Sequence, residues 1–478
     1  MAKTGIARFT NEFRNLADPI AAYRGNPLIG ALPPILSEEE TYDHLTNLPA
    51  FSAQERTLPA HLRMHAVCAL QELFIPGPQH ASVLSQIDIM IRRGYAHRNP
   101  LSPANRRLVR EDNELLKGGC LPPPERYSHI PLLGAGVFGT AGTGKTAATK
   151  RSLSRYPSVV DHLYEEDGVR FAFRQVPFVF VNMISDSSPK AFATTVLNAM
   201  SEIVGVDLQE KYNTAGCNGL TIIPKLYQAL RDYHVGLIIV DEVQNMSSYT
   251  RGYGSVLSYF IRLMNSLGLP LLIVGTERAR TLIKTDFAVE RRFISGIRPF
   301  RPFADGDPLL SNFLEEIGSF CYLETVCDLQ RLASTVHALT GGVPDLVIKL
   351  FMLAQTRLFG RETEVLTDEV LHQTAADLFG GIEKTLIRIR TQGADVDNTE
   401  ETQRTLNERL QKLLEKESQR VGSAEEAKAT AAKKKPCKKA RRAARGKTPR
   451  HDDPLLAAST ASDKIAALEK AGVLDLAE

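Results

Sequence analysis

The sequence predicts an α/β fold: a parallel sheet flanked by helices and followed by an α-helical lid, with a helical extension before it and a disordered basic tail after it. Three observations predict it. Between about residues 128 and 305, short β-rich apolar runs alternate with helix-compatible stretches. One run passes through a glycine-rich loop, GTAGTGKT at Gly139–Thr146, into a helical stretch, TAATKRSLSRY. Another, LIIV at Leu237–Val240, ends in two acids, Asp241 and Glu242.

Taken in order, LLGAGVFG, VPFVFVNMI, GLIIVDEVQ, PLLIVGTE and IRPFRPF read as the strands. Short apolar runs bounded by turn residues suit strands covered on both faces, which is the parallel-sheet case. Residues 1–125 form a Pro- and Arg-rich region with helical patterning in HLRMHAVCALQELF and VLSQIDIMIRRGY. The sheet-bearing core then spans 126–305. The lid spans 306–380, where DLVIKLFMLAQTRLF is apolar at helical spacing. A helical extension over 381–421 carries Leu406, Leu410, Leu413 and Leu414 along one stripe. From 422 to 461 the composition turns low in complexity and reads as a disordered basic linker. Residues 462–478 open on a candidate N-cap, Ser462, and predict one short helix, too small to fold alone and suited to docking on a partner.

The octad GTAGTGKT fits the phosphate-binding pattern GxxxxGK[ST]. Gly139, Thr140, Ala141, Gly142, Thr143 and Gly144 supply backbone N–H groups that wrap phosphate oxygens. Lys145 neutralises charge at the β- and γ-phosphates, and the Thr146 hydroxyl takes a place on Mg²⁺. An apolar strand ending in an acid completes such a site. Asp241 reaches the Mg²⁺ shell and Glu242 polarises an attacking water. The expected ligands are therefore ATP and Mg²⁺. A third strand, LLIVGTE, ends at Thr276, which either senses the γ-phosphate or is an ordinary turn residue.

The net charge of +3 hides an asymmetry. From Lys433 to Arg450, ten of eighteen residues are basic and none is acidic; 58 basic residues less those ten leaves 48 against 55 acids, a body of −7. The tail reads either as a sequence-indifferent phosphate binder or as a solubilising linker. No apolar run is long enough to span a bilayer and the start lacks a signal-peptide core, so a cytoplasmic protein without membrane contact is expected. Six scattered cysteines without a CxxC pair read as reduced, mostly buried packing residues. His61, His65 and Cys68 have metal-ligand spacing on a helix, but no fourth ligand is evident and core helix residues are the preferred reading.

The glycine-rich loop, VDE, VGT, the ERR of FAVERRFISGIRPF and the helical lid together resemble an AAA+ ATPase. In ring-forming members, Arg291 or Arg292 would face a neighbour's nucleotide as an arginine finger; a solvated charge pair is the alternative, and Arg291 is the first choice. The flanks YRGNPLIGALPPIL at Tyr23–Leu36 and IDIMIRRGYAHRNP at Ile87–Pro100 resemble the amino-terminal region of the TnsC/TniB ATPases, regulators of cut-and-paste transposons. That resemblance covers roughly residues 15 to 380. It implies an ATP-bound homo-oligomer, a ring or helical filament on double-stranded DNA. Such an assembly links a target-selector protein of TnsD/TniQ type to the transposase and its companion endonuclease, with the last residues docking on one of those two. It also implies DNA-facing positions near Lys190, Lys211 and Thr214, each equally readable as a plain surface residue. Asp345 stands where a lid arginine would read the γ-phosphate, so slow hydrolysis acting as a timer is expected. A signalling or defence NTPase that assembles without DNA is the competing reading. An origin-loading ATPase would need a winged-helix domain after the lid, and the chain beyond residue 380 lacks the β pattern for one.

Overall fold

The computed structural model describes residues 8–9, 18–123, 125–127, 130, 133–166, 169–183, 188–248, 253–284, 290, 292–293, 297–392 and 400–433. Strands β1 (Arg8–Phe9), β2 (Gly134–Phe138), β3 (Val160–Glu166), β4 (Val169–Gln175), β5 (Phe178–Asn182), β6 (Leu237–Asp241) and β7 (Leu271–Gly275) form two sheets. The larger is wholly parallel, in the order β2-β7-β6-β5. Its central strands β6 and β7 are buried at every residue, whereas edge strand β5 alternates. Helices cover both faces of the centre, so a run such as LIIV has no solvent side on which to place a polar residue.

Ahead of the sheet lie α1 (Pro27–Gly30), α2 (Glu38–Leu45), α3 (Ala60–Ala66), α4 (Pro78–Ala96) and α5 (Pro103–Lys117). Within it come α6 (Lys145–Leu153), α7 (Pro189–Val204), α8 (Leu208–Lys211), α9 (Ile222–Asp232), α10 (Tyr253–Leu267) and α11 (Glu277–Ile283). One face of the sheet is covered by α4. Its Val83, Ile87, Met90, Ile91 and Tyr95 fall at helical spacing and pack with Val137, Ile239, Leu272 and Val274. The other face meets α7, α9 and α10, through Phe192, Val196, Leu226, Phe260 and Leu263 against Val179, Ile238 and Ile273. Burial of each such side chain contributes about 1.5–3 kcal/mol. The helical stretch before residue 126 is thus part of the sandwich rather than set beside it.

Two strand readings change. IRPFRPF forms only a single-residue bridge, Phe300 to Gly139. Pro299 and Pro302 stand on either side without an N–H, so the ladder cannot extend. Conversely, β3 and β4 pair as an antiparallel hairpin that no apolar run marks in the sequence. Its strands are half polar, and opposite charges face each other, with Arg174 donating to Asp161 at 2.7 Å. Asp167-Gly168 in the sequence between them was the available signal.

The lid comprises α12 (Pro308–Ser319), α13 (Ala333–Thr340), α14 (Pro344–Leu358) and α15 (Asp368–Phe379), followed by α16 (Glu383–Gln392) and α17 (Glu400–Lys433). Its core takes in Met64, Val67 and Leu70 from the amino-terminal region and Leu406, Leu410 and Val421 from α17. Arg63 forms a buried two-pronged ion pair with Glu364, at 2.5 and 2.8 Å, and donates to the Tyr322 carbonyl at 3.0 Å. Gly422 does not end the last helix, as the linker boundary at 422 required. A lone glycine costs only about 1 kcal/mol, and the flanking Ala, Glu and Lys are strong helix formers. Residues 434–478, which hold Cys437, the remainder of the expected disordered linker and the expected docking helix, lie outside the described residues.

The cysteine and histidine readings also change. Among the described cysteines only Cys321 is buried; Cys68 and Cys120 are exposed. His61, His65 and Cys68 lie on the exposed side of their segment, because Arg63, Met64 and Val67 take the inward positions. Among the described residues no single helix is long and apolar enough to cross a membrane.

Candidate nucleotide site

At the carboxyl end of β2 the chain turns through Gly139–Gly144 into α6. Gly144 is the N-cap of α6 in a left-handed conformation (φ 89°), which a side chain would strain. The loop is held by its own bonds: Thr143 Oγ1 donates to the Thr140 carbonyl at 2.7 Å, and Lys145 Nζ donates to the carbonyls of Gly139 (3.0 Å) and Thr140 (2.8 Å). Burial pushes the Lys145 ammonium down to about 8, with the carboxylates of Glu242, Asp241 and Glu277 opposing.

Asp241, the last residue of β6, is buried beside this loop. Its Oδ2 accepts from Thr146 Oγ1 at 2.7 Å and its Oδ1 from the Glu242 N–H at 2.8 Å. Burial raises its pKa, and the Thr146 hydrogen bond works against that rise. Glu242 sits at φ 57°, an uncommon backbone for a glutamate, and its carboxylate accepts from Gln244 Nε2. The same Gln244 accepts through Oε1 from the Thr276 N–H at 3.1 Å. One amide therefore ties the ends of β6 and β7 together. Composition gave no hint of Gln244; its place two residues past Glu242 was the available clue.

A cavity of about 960 Å³ opens over these groups. Its far wall comes from the amino-terminal region, with Leu73, Phe74, Ile75 and Pro76, and from the lid, with Pro344 and Ile348. The result is a polar floor and an apolar wall. The floor fits phosphate oxygens, since α6 presents the unpaired N–H groups of its first turn beside the Lys145 ammonium. The Thr146 and Asp241 oxygens, already 2.7 Å apart, form a hard donor set suited to Mg²⁺.

His80, absent from the sequence reading, sits against the loop. Its Nδ1 accepts from the Gly77 N–H at 2.7 Å, which leaves Nε2–H to donate to the Thr143 carbonyl at 3.1 Å. The ring lies between Phe74 and Phe300, with centroids at 5.1 and 5.2 Å. Burial holds it neutral, with a pKa pushed down to about 4. Nothing local in PGPQHAS announces a contact with a loop over sixty residues away.

The lid meets the loop directly: the Asp345 N–H donates to the Gly142 carbonyl at 3.2 Å. One turn on, Lys349 lines the cavity with its Nζ 2.6 Å from Asp345 Oδ2. A lysine thus stands one turn beyond Asp345, already paired with that acid. Arg404, Asn407 and Gln411 of α17 line the same cavity.

The remaining predicted positions scatter. Thr276 is buried at the end of β7 and lines the cavity. Arg292 is half-buried and donates to Asn265 Oδ1 at 2.8 Å within its own chain, while Arg291 lies outside the described residues. Lys190 is exposed at the start of α7, whose N-cap Ser188 accepts from the Ala191 N–H at 3.1 Å. Lys211 donates to Tyr233 Oη at 3.1 Å and lies over the rings of Tyr212 and Tyr233. Thr214 is buried, its hydroxyl directed at Gln209. As placed, it has no face to offer a duplex.

A phosphate-binding loop and an acid-tipped strand, on the carboxyl edge of a parallel sheet beneath a helical lid, make up an AAA+ P-loop fold. Residues 135–283 match the AAA domain family. No curated protein matches the chain. Among solved structures it is similar to the Aeropyrum pernix ORC2 protein in its ADP form (19% identity, 57% of this chain and 66% of that chain covered, TM-score 0.36). It is also similar to the Aeropyrum pernix ORC1 protein in complex with DNA (18%, 58% and 66%, TM-score 0.36). A third is Cdc6p from Pyrobaculum aerophilum (15%, 66% and 95%, TM-score 0.31).

Proposed function

We propose that this ATPase is a regulator of transposition that assembles on duplex DNA without sequence preference, links target selection to the transposase, and uses slow ATP hydrolysis as a timer. One observation carries the reading. The two stretches that resemble the TnsC/TniB amino-terminal region pack on each other: Asn26 Nδ2 donates to the Tyr95 carbonyl at 2.7 Å, and Asn99 Nδ2 donates to the Gly25 carbonyl at 3.1 Å. Asp88 of the second stretch accepts from Tyr156, just beyond α6, at 2.8 Å. Two separate sequence likenesses thus form one unit set against the far end of α6, which supports a shared scaffold over two chance matches.

In this reading Lys145 and the first turn of α6 hold the phosphates, while Thr146 and Asp241 hold Mg²⁺. The metal, when bound, supplies neutralising charge at the phosphate oxygens. Glu242 polarises the attacking water, and Gln244 fixes its carboxylate relative to Thr276. Lys349, neutralised by Asp345, contributes less charge than a free lid cation, which is consistent with slow turnover. Lys190 and the basic run after Lys433 are the proposed phosphate contacts on DNA. Arg291, or else Arg292, is proposed to complete a neighbour's site in the assembled oligomer.

Fluorescence anisotropy of a random-sequence duplex tests the reading, in the presence of ATP, a non-hydrolysable analogue, or ADP. Tight binding with the analogue and weak binding with ADP, for unrelated sequences alike, is expected. Absence of binding in every nucleotide state at low salt refutes the DNA role and leaves the signalling assembly as the better account.

A further inference from the structure

Two of the scattered cysteines meet in the fold. Cys321 and Cys327 flank a short loop after α12, and their sulfurs stand 2.6 Å apart. That is closer than two unbonded sulfurs rest, and only a little longer than the roughly 2.05 Å of a disulfide. The loop is not free to drift into this arrangement by accident. Arg56 Nε donates to the Cys321 carbonyl at 2.8 Å. Gln355 Oε1 accepts from the Tyr322 N–H at 2.6 Å, and Arg63 donates to the Tyr322 carbonyl. Glu364, the partner of Arg63, accepts from the Glu324 N–H at 3.3 Å. The two thiols also differ: Cys321 is fully buried, whereas Cys327 is half-exposed. The hydrogen bond from the Cys327 thiol draws Cys321 down to about 7, and the nearby Arg56 charge favours the anion as well.

We propose that Cys321 and Cys327 form a reversible dithiol–disulfide site in the lid, oxidised by small-molecule disulfides. The half-exposed Cys327 sulfur attacks one sulfur of the small disulfide as its proton passes to the Cys321 thiolate 2.6 Å away, forming a mixed disulfide and releasing one thiolate. The buried Cys321 sulfur gives up that proton to the released thiolate and attacks the Cys327 sulfur, closing the intramolecular bond and expelling the second thiolate. Two electrons pass from the cysteine pair to the small disulfide, and the two thiol protons leave with the released thiols. The bridge would fix the loop on which Arg56 and Arg63 of the amino-terminal region hold the lid, at the end of the helix whose Phe313 and Glu316 line the nucleotide cavity.

The full-length protein would be incubated with oxidised glutathione, its free thiols blocked, and the digest mapped by mass spectrometry. The expected result is a peptide holding both Cys321 and Cys327 that has lost the mass of two hydrogens, returns to the dithiol with reductant, and accompanies a higher thermal midpoint. Cys327→Ser, chosen because that position is half-exposed and the variant should fold, is expected to lose both the bridge and the shift in midpoint. Two unmodified thiols, a glutathione adduct that stops on Cys327, or a cross-link between chains would each overturn the proposal. None of these readouts depends on DNA binding or on the transposition reading.

Discussion

Replacing His80 by alanine is expected to loosen the nucleotide loop from outside the core sequence motif. The substitution leaves the Gly77 N–H and the Thr143 carbonyl without their partner and removes the ring held between Phe74 and Phe300. Two lost hydrogen bonds at about 1 kcal/mol each, plus a partly collapsed cavity, amount to about 3–4 kcal/mol at neutral pH. The pH dependence sharpens the test. The folded pKa of His80 is depressed from 6.5 to about 4, so its contribution is fully present above the unfolded pKa and is lost as pH falls. Between about pH 8 and about pH 5 the unfolded chain takes up a proton that folded His80 refuses, which costs the wild type about 2 kcal/mol. The alanine variant has no such term, so the gap between the two proteins should narrow by that amount. Urea unfolding of both across this range, followed by circular dichroism, measures it. A gap that stays constant or widens on acidification would show that His80 is not the neutral, buried anchor of the loop. His234, also depressed to about 4, titrates in both proteins and cancels in the comparison.

Other expectations are simpler. Lys145→Ala should weaken ATP binding about 100-fold, read by titration calorimetry, because a buried charge-assisted contact to phosphate is removed. Glu242→Gln should bind ATP normally and hydrolyse it about 10²–10⁴-fold more slowly, with a longer-lived DNA complex; faster release of DNA would sink the timer mechanism. Arg63→Met should cost about 3–5 kcal/mol in urea unfolding by stranding buried Glu364, and adding Glu364→Leu should recover much of that loss. Gly136→Ala should cost about 1–3 kcal/mol, since its Cβ would fall 2.1 Å from the Phe138 ring and 2.7 Å from the Phe293 carbonyl.

Four of the five strands read from apolar runs appear at their places; β6 and β7 announce themselves because a strand buried on both faces must be apolar throughout, and edge strand β5 still carries the apolar run FVFV. The fifth run failed for a local reason as well, the two prolines around Phe300. The half-polar hairpin β3–β4 escaped because pairing with an opposite charge, as between Asp161 and Arg174, leaves no hydrophobic trace. Asp241 and Thr146 were legible as candidates, since their roles follow from residue type at fixed offsets from a glycine loop and a strand end.

By itself the sequence determined the parallel sheet, the phosphate-binding loop and the acid-tipped strand, all encoded within a few consecutive residues. Tertiary structure alone decided what surrounds them. It brought His80 onto the loop, made Gln244 the tie between Glu242 and Thr276, turned Lys349 into the nucleotide cavity, and set Cys321 against Cys327. The His80 and Gln244–Thr276 contacts depend on how helices and loops from separate parts of the chain pack. No periodicity or spacing rule carries that information, because the groups meet only after the apolar faces of α4, α14 and the sheet have been buried.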